Sequence, residues 1–309
     1  MNIVGLETLV FDVDDLQAGH QFLVDYGLTA VEITNEGGRY EALDGTGVEI
    51  RRIDDPQLPL ANAPSPNLRE TIYGVADTAT LEAIAIELAK DREVVRDEQG
   101  AIHSIDDGGF AIGFCVTRRK EIKIKSLNFN VPGQGNGRAP NELGCHPDEE
   151  HLPFSLSHVV YFVPDMAKAE AFYCDRLGFV VTDRFRKLGP FMRPAGTLEH
   201  HSLFMIQSFN EHMVGAEHFT FHFGSANSVF HSGWRFAQKG YKSFWGPGRH
   251  ELGSNYFWYF KSPFGCNIEF DADMDLHDDE WIPRERDPGA HNSQIFLFQH
   301  APKWFPSGD

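Results

Sequence analysis

From Gly5 to Val13 the run GLETLVFDV is mostly apolar with interspersed polar positions, which predicts a strand. The segment that follows, DDLQAGHQFLVDYG, reads as an amphipathic helix led by Asp and closed by Gly27, before a second strand. The same order returns at Ser155, where SLSHVVYFV leads into PDMAKAEAFYCDRLG; the offset at the strand is 150 residues, which sets Thr8 opposite His158. A second echo pairs RETIYGVADTATLEAIAIELA with EHFTFHFGSANSVFHSGWRFA at an offset of 148, setting Glu70 opposite His218. A third pairs DDGGFAIGFCV with KSPFGCNIEFDA at an offset of 156, setting Gly113 opposite Glu269, and each of these reads as a turn and a closing strand. The pattern predicts an α+β chain of two similar halves. Each half holds two units of one strand, one helix and about three strands, spanning roughly 3–53, 68–116, 155–208 and 215–271.

Between the halves, VPGQGNGRAPNELGCHPDEEHLP is rich in Gly, Pro and charge and suits a surface linker. The expected division is a first domain at 1–130, the linker at 131–154, a second domain at 155–273 and a tail at 274–309. The tail carries Trp281, Pro283, Arg284, Arg286, Trp304 and Phe305, a mix expected to pack near the second domain rather than hang free. Glycines in the linker do not follow a strand and open a helix, so no phosphate loop or organic cofactor is expected there.

Net charge is −18, from 27 Lys+Arg against 45 Asp+Glu, which argues against nucleic acid or an anionic membrane as the main partner. No run approaches the ~18 apolar residues of a membrane span, and the start lacks the basic flank of a signal peptide, so a cytoplasmic protein is expected. The cysteines Cys115, Cys145, Cys174 and Cys266 are scattered without a CxxC spacing, which speaks against a disulfide framework or a thiolate zinc site. Histidine is distributed unevenly: of 15, only His20 and His103 precede Cys145. Imidazole chemistry therefore belongs to the second half.

The internal alignment sharpens that point. His158, His218 and Glu269 stand where the first half has Thr8, Glu70 and Gly113, so only the second half carries two imidazoles and a carboxylate at matched positions. Period-two alternation puts His158 on one face with Val160 and Phe162, His218 with Thr220 and His222, and Glu269 with Asn267 and Asp271. A curved sheet would turn all three toward one point. Two neutral imidazoles and one carboxylate occupy one face of an octahedral ion and leave three adjacent positions open, an arrangement that suits non-haem Fe(II) oxygenases. Mn(II) fits the same donors, as does Zn(II) with fewer open positions. Any one of these residues alone reads more simply as a hydrogen-bonded core or surface group.

The runs HVVYFVPD, AEAFYCDRLGF, EHFTFHF and above all GPGRHELGSNYFWYFKSPFGCNIEF resemble the type I extradiol ring-cleaving dioxygenases of the vicinal oxygen chelate superfamily. The resemblance covers nearly the whole chain, weakly in the first half and specifically in the second. It implies paired βαβββ modules, each pair forming a cup-shaped, barrel-like sheet, with Fe(II) or occasionally Mn(II) in the second cup on His158, His218 and Glu269. It further implies that His250 and Tyr259 hydrogen-bond the substrate oxygen, and that a histidine beside the oxygen position corresponds to His201, or failing that to its neighbour His200.

What the resemblance implies chemically is extradiol cleavage of a catecholic substrate with O2, beside the two hydroxyl-bearing carbons, to an open-chain semialdehyde or keto acid, by an enzyme expected to be a homo-oligomer. Phe191, Met192 and Trp281 are candidates for an apolar wall suited to a bulky catechol. Arg193, Arg249, Arg284 or Arg286 would instead meet a substrate carboxylate. Two other readings stand beside the oxygenase: a metal-dependent isomerase or epimerase of glyoxalase type, and a non-catalytic protein that holds a small aromatic ligand.

Overall fold

A computed structural model of the chain describes residues 1–124, 128–135, 137–290 and 292–299. The tail residues Trp304 and Phe305 lie outside them. Four repeats of one strand, one helix and three strands run along the chain. The first has β1 (Ile3–Val13), α1 (Leu16–Tyr26), β2 (Thr29–Ile33), β3 (Gly37–Glu41) and β4 (Gly47–Arg52); the second has β5 (Leu68–Val75), α2 (Thr78–Leu88), β6 (Val95–Arg96), β7 (Ile102–Ile105) and β8 (Ala111–Val116). The third has β9 (Ser155–Val163), α3 (Met166–Ala171), β10 (Phe179–Phe185), β11 (Gly189–Pro194) and β12 (Leu203–Gln207). The fourth has β13 (Ala216–His222), α4 (Ala226–Gln238), β14 (Ser243–His250), β15 (Tyr256–Lys261) and β16 (Asn267–Ala272). The tail adds β17 (Arg284–Arg286) and β18 (Gln294–Leu297).

In each half the two modules join along one antiparallel pair, β1 with β5 and β9 with β13. The strand orders are β2-β3-β4-β1-β5-β8-β7-β6 and β17-β10-β11-β12-β9-β13-β16-β15-β14-β18, so the second sheet repeats the first and the tail strands extend both of its edges.

Local chemistry repeats with the strands. Asp15 and Asp165, 150 residues apart, cap α1 and α3 through their side chains, and Asp77 and Ser225, 148 apart, cap α2 and α4. Gly27 closes α1 in the left-handed region at φ 114°. Its counterpart, Gly178, comes one residue later than the offset requires, and the extra residue is taken up by a π-helical turn at Phe172–Arg176 that continues α3.

Alternation along the central strands separates two faces. Val159, Tyr161 and Val163 of β9, Phe219 and Phe221 of β13, and Ile268, Phe270 and Ala272 of β16 enter one large apolar core. That core is shared with the first half: Phe11 packs 5.0 Å from Phe219, Tyr26 lies 4.2 Å from Phe270, and Phe110 stacks on Tyr161 at 4.2 Å. The opposite face of the second sheet holds a smaller apolar group that includes Val160, Phe162, Phe185, Phe191 and Phe204. The two halves are therefore welded back to back, and the open face of the second cup points away from the first half. Among the described residues, no helix is long and apolar enough to cross a membrane.

The weld reaches the candidate site. Tyr26 is fully buried, and its hydroxyl donates to the backbone carbonyl of Glu269 at 2.6 Å, so a helix of the first half pins the strand that carries the candidate ligand. Removing the hydroxyl in Tyr26→Phe leaves that carbonyl short of a partner and is expected to cost ~1 kcal/mol. Urea unfolding should show a lowered midpoint; an unchanged midpoint would mean that water replaces the bond.

Candidate active site

Sheet register decides whether the internal alignment is real. In the second sheet Val160 pairs with His218 and Thr220 with Glu269; in the first, Val10 pairs with Glu70 and Ile72 with Gly113. These are the same positions shifted by the three offsets read from the sequence. His158, His218 and Glu269 consequently sit on three neighbouring strands, β9, β13 and β16, and project from the same face. One donor atom from each lies within 4.8 Å of the others, and all three residues are buried.

Their contacts turn three acceptors toward one point. His158 Nδ1 lies 2.9 Å from Ser157 Oγ, and that hydroxyl in turn donates to Asp271 Oδ2 at 3.3 Å, so a cation taken by Nε2 would leave the His158 proton on Nδ1 with an acceptor. His218 Nδ1 donates to the carboxylate of Glu217. Both Nε2 lone pairs then face inward, 3.2 Å from each other and 3.0 and 3.4 Å from Glu269 Oε2. Thr220 Oγ1 donates to the same carboxylate at 2.7 Å, while Glu269 Oε1 is buried without a hydrogen-bond partner. Adjacent donors around an octahedral ion with bonds of ~2.1 Å stand ~3.0 Å apart, so this triangle fits a divalent cation. Orientation of each imidazole by a carboxylate or hydroxyl behind it is how proteins commonly fix a metal ligand.

Electrostatics agree with the geometry. Burial lowers the His158 pKa and keeps the ring neutral. Burial would lower His218 too, but the charges of Glu217 and Glu269 raise it above its ordinary value. Glu269 is fully buried, which alone would push its pKa up; the neighbouring imidazoles of His158, His218 and His250 hold it well below the carboxylate range. A divalent ion among these groups would answer the charge of both carboxylates.

The remaining histidines gather around this centre. His201 lines the cavity above it, its ring 4.2 Å from that of His158. His200 lies behind, fully buried, with Nδ1 2.9 Å from His201 Nδ1 and Nε2 2.8 Å from Asp183 Oδ2. Nε2 is thus the His201 nitrogen left for a ligand. Tyr259 is register-paired with Glu269, and His250 Nε2 lies 3.3 Å from its hydroxyl and 3.4 Å from Glu269 Oε1.

Four supporting residues, Ser157, Glu217, Thr220 and Asp271, escaped the sequence reading as functional. For Glu217 the reason is structural: simple alternation puts it on the face opposite His218, but a bulge between Ala216 and His218 swings it to the same side, where it lines the cavity.

In the first half the corresponding place is filled. Glu70 Oε1 and His103 Nδ1 meet at 2.7 Å, His103 being the counterpart of Tyr259, and this bond raises the histidine pKa. A Cβ on Gly113 would stand 3.1 Å from that carboxylate oxygen, so the pair occupies the room a Glu269 equivalent would need. Among the described residues, the first sheet contains no group of three donors.

Comparison with known proteins follows the same division. Residues 155–270 match the model of the Glyoxalase/Bleomycin resistance protein/Dioxygenase superfamily. Metapyrocatechase 2 of Cupriavidus necator is 37% identical over 124 residues, a match that covers 40% of this chain and only 38% of that relative. The fold of the whole chain is similar to the Mn(II)-bound glyoxalase from Novosphingobium aromaticivorans, with a TM-score of 0.76 at 18% identity over 99% of this chain and 96% of the other. The 2,3-dioxygenase LapB from Pseudomonas sp. KL28 gives 0.71 at 16% identity over 91% and 97%.

Two outcomes are expected from this geometry in the second half. Glu269→Gln keeps the size but removes the anionic donor and should abolish most binding of Fe(II) or Mn(II), whereas Glu70→Gln should leave metal content unchanged; metal loss in the second variant alone would assign the site to both halves. Glu217→Ala frees His218 to rotate and should weaken metal affinity by ~10- to 100-fold, measured by competition with a chelating dye.

Proposed function

We propose that the protein cleaves a catecholic ring extradiol with O2, using Fe(II) or Mn(II) held by His158, His218 and Glu269. The carrying observation is the donor set itself: two inward imidazoles and one carboxylate, all from one half, on one side of a cavity that can admit a second ligand. A bound ion would supply open positions at which a deprotonated catechol and O2 meet. His250 and Tyr259 are placed to hold a substrate oxygen by hydrogen bonds, while His201, on the side of His158, is placed to move a proton to or from oxygen. Its pKa is well below the ordinary histidine value because of burial and then the neighbouring imidazoles, so it enters as a base.

The cavity wall narrows the substrate. Val160, Phe185, Leu188, Phe191, Phe204 and Trp245 line it, and among its described lining residues there is no arginine or lysine. Arg193 binds Asp279 and nearby carbonyls, Arg249 binds Asp273 and Tyr256, Arg284 binds Asp183, and Arg286 binds Glu251, so each of the expected carboxylate anchors is engaged elsewhere. Met192 is in the shared core and Trp281 donates to the Thr182 carbonyl, so of the expected apolar wall only Phe191 is in place. Pro288 to Ala290, Ser293 and Gln294 of the tail close one side. The reading is a neutral catechol with an apolar substituent.

Oxygen uptake by the Fe(II)-loaded protein tests this. A phenyl-substituted catechol should be turned over faster than a carboxylated one, with yellow ring-opened product. His201→Asn and His250→Asn should retain metal while turnover falls ~10²-fold or more. Turnover that proceeds without oxygen would favour the isomerase, and no uptake with any catechol would refute the oxygenase.

A further inference from the structure

Outside the cup, a second group of metal-binding side chains gathers where the linker crosses the catalytic half. Cys145 Sγ, a Glu149 carboxylate oxygen and a His151 ring nitrogen lie within 4.8 Å of one another. Several bonds hold this stretch on α4. Arg235 donates to the carbonyls of Pro147 and Glu149 at 2.7 and 3.0 Å, Ser232 Oγ donates to the His151 carbonyl at 3.2 Å, and Asn227 Nδ2 donates to Cys145 Sγ at 3.6 Å.

The imidazoles here are incompletely used. His151 Nδ1 meets Ser228 Oγ at 3.2 Å, but its Nε2 is buried with no hydrogen-bond partner. His231, on the same helix, stands with its ring edge-on to His151 at 4.8 Å, and its Nδ1 is likewise buried and unpartnered. Buried polar atoms rarely go without a partner in a folded protein. The first belongs to a member of the thiol–carboxylate group, and the second to a ring of α4 packed against it.

We propose that Cys145, Glu149, His151 and His231 form a structural site for a zinc-class divalent cation that clamps the linker to α4. One thiolate, two imidazoles and one carboxylate make a borderline-soft set of four, which suits tetrahedral Zn(II) and leaves no open position for chemistry. Binding displaces the Cys145 thiol proton to solvent and joins the linker to the helix by bonds that neither segment can make alone. The site is built from donors distinct from those of the cup and does not depend on the reading of the cup as an oxygenase.

Cobalt distinguishes the two centres, because only this one contains sulfur. Full-length metal-free protein titrated with Co(II) should develop a near-ultraviolet thiolate-to-metal absorption that saturates by two equivalents, one for each centre, and is displaced by Zn(II). The band should persist in Glu269→Gln, vanish in Cys145→Ser, and need about tenfold more Co(II) in His151→Asn and in His231→Asn. Zn(II) should also slow tryptic cleavage of the 131–151 stretch in the unaltered protein but not in Cys145→Ser, whose exposed position makes folding insensitive to the change. Absence of the band, its survival in Cys145→Ser, its loss in Glu269→Gln, or unchanged affinity in His151→Asn would each overturn the proposal.

Discussion

A carboxylate with no exposure to solvent has to be answered by positive charge, and Glu269 sets that requirement at the centre of the second half. The surrounding residues answer it only in part. Both imidazoles nearest the carboxylate are tied through Nδ1 to acceptors behind them, so they offer lone pairs to the centre rather than protons. Three acceptors within 3.0 to 3.4 Å of one another make sense once a cation stands among them. The strand order, the bulge at Glu217 and the buried hydroxyls of Ser157 and Thr220 all serve to hold that triangle.

The first half solves the same electrostatic problem by another route. Its Glu70 carboxylate, at the position of His218, is met by His103 at the position of Tyr259, and a glycine replaces the ligand carboxylate. An internal ion pair needs no metal. This half contributes packing instead: Phe11, Tyr26 and Phe110 stack against the back of the second sheet, and Tyr26 bonds directly to the Glu269 backbone.

Much of this was legible in the amino-acid order because both the sheet and the repeat have strict periods. Alternation of two put His158, His218 and Glu269 on one face, and three constant offsets matched them to Thr8, Glu70 and Gly113; pairing in the sheets reproduces both. What stayed hidden depends on breaks in period or on long-range partners. Glu217 reaches the site through a bulge that alternation does not foresee. The arginines of the tail looked like substrate anchors until Asp183, about a hundred residues earlier in the chain, was seen to hold Arg284, and Glu251 to hold Arg286. Each of these arginines already holds a carboxylate partner. Which of His200 and His201 lines the cavity also depended on the fold: the two rings touch, and His201 is the one in the lining.

The proposal is that a buried His–His–Glu centre on the wall of an apolar cavity, with three further polar groups around it, brings O2 to an uncharged catechol. The most direct measurement of that claim is isotopic. Fe(II)-loaded protein given a phenyl-substituted catechol under ¹⁸O2 is expected to yield a ring-opened product carrying both labelled atoms by mass spectrometry, before exchange with water. Product formed without label, or formed equally well in the absence of oxygen, would contradict it.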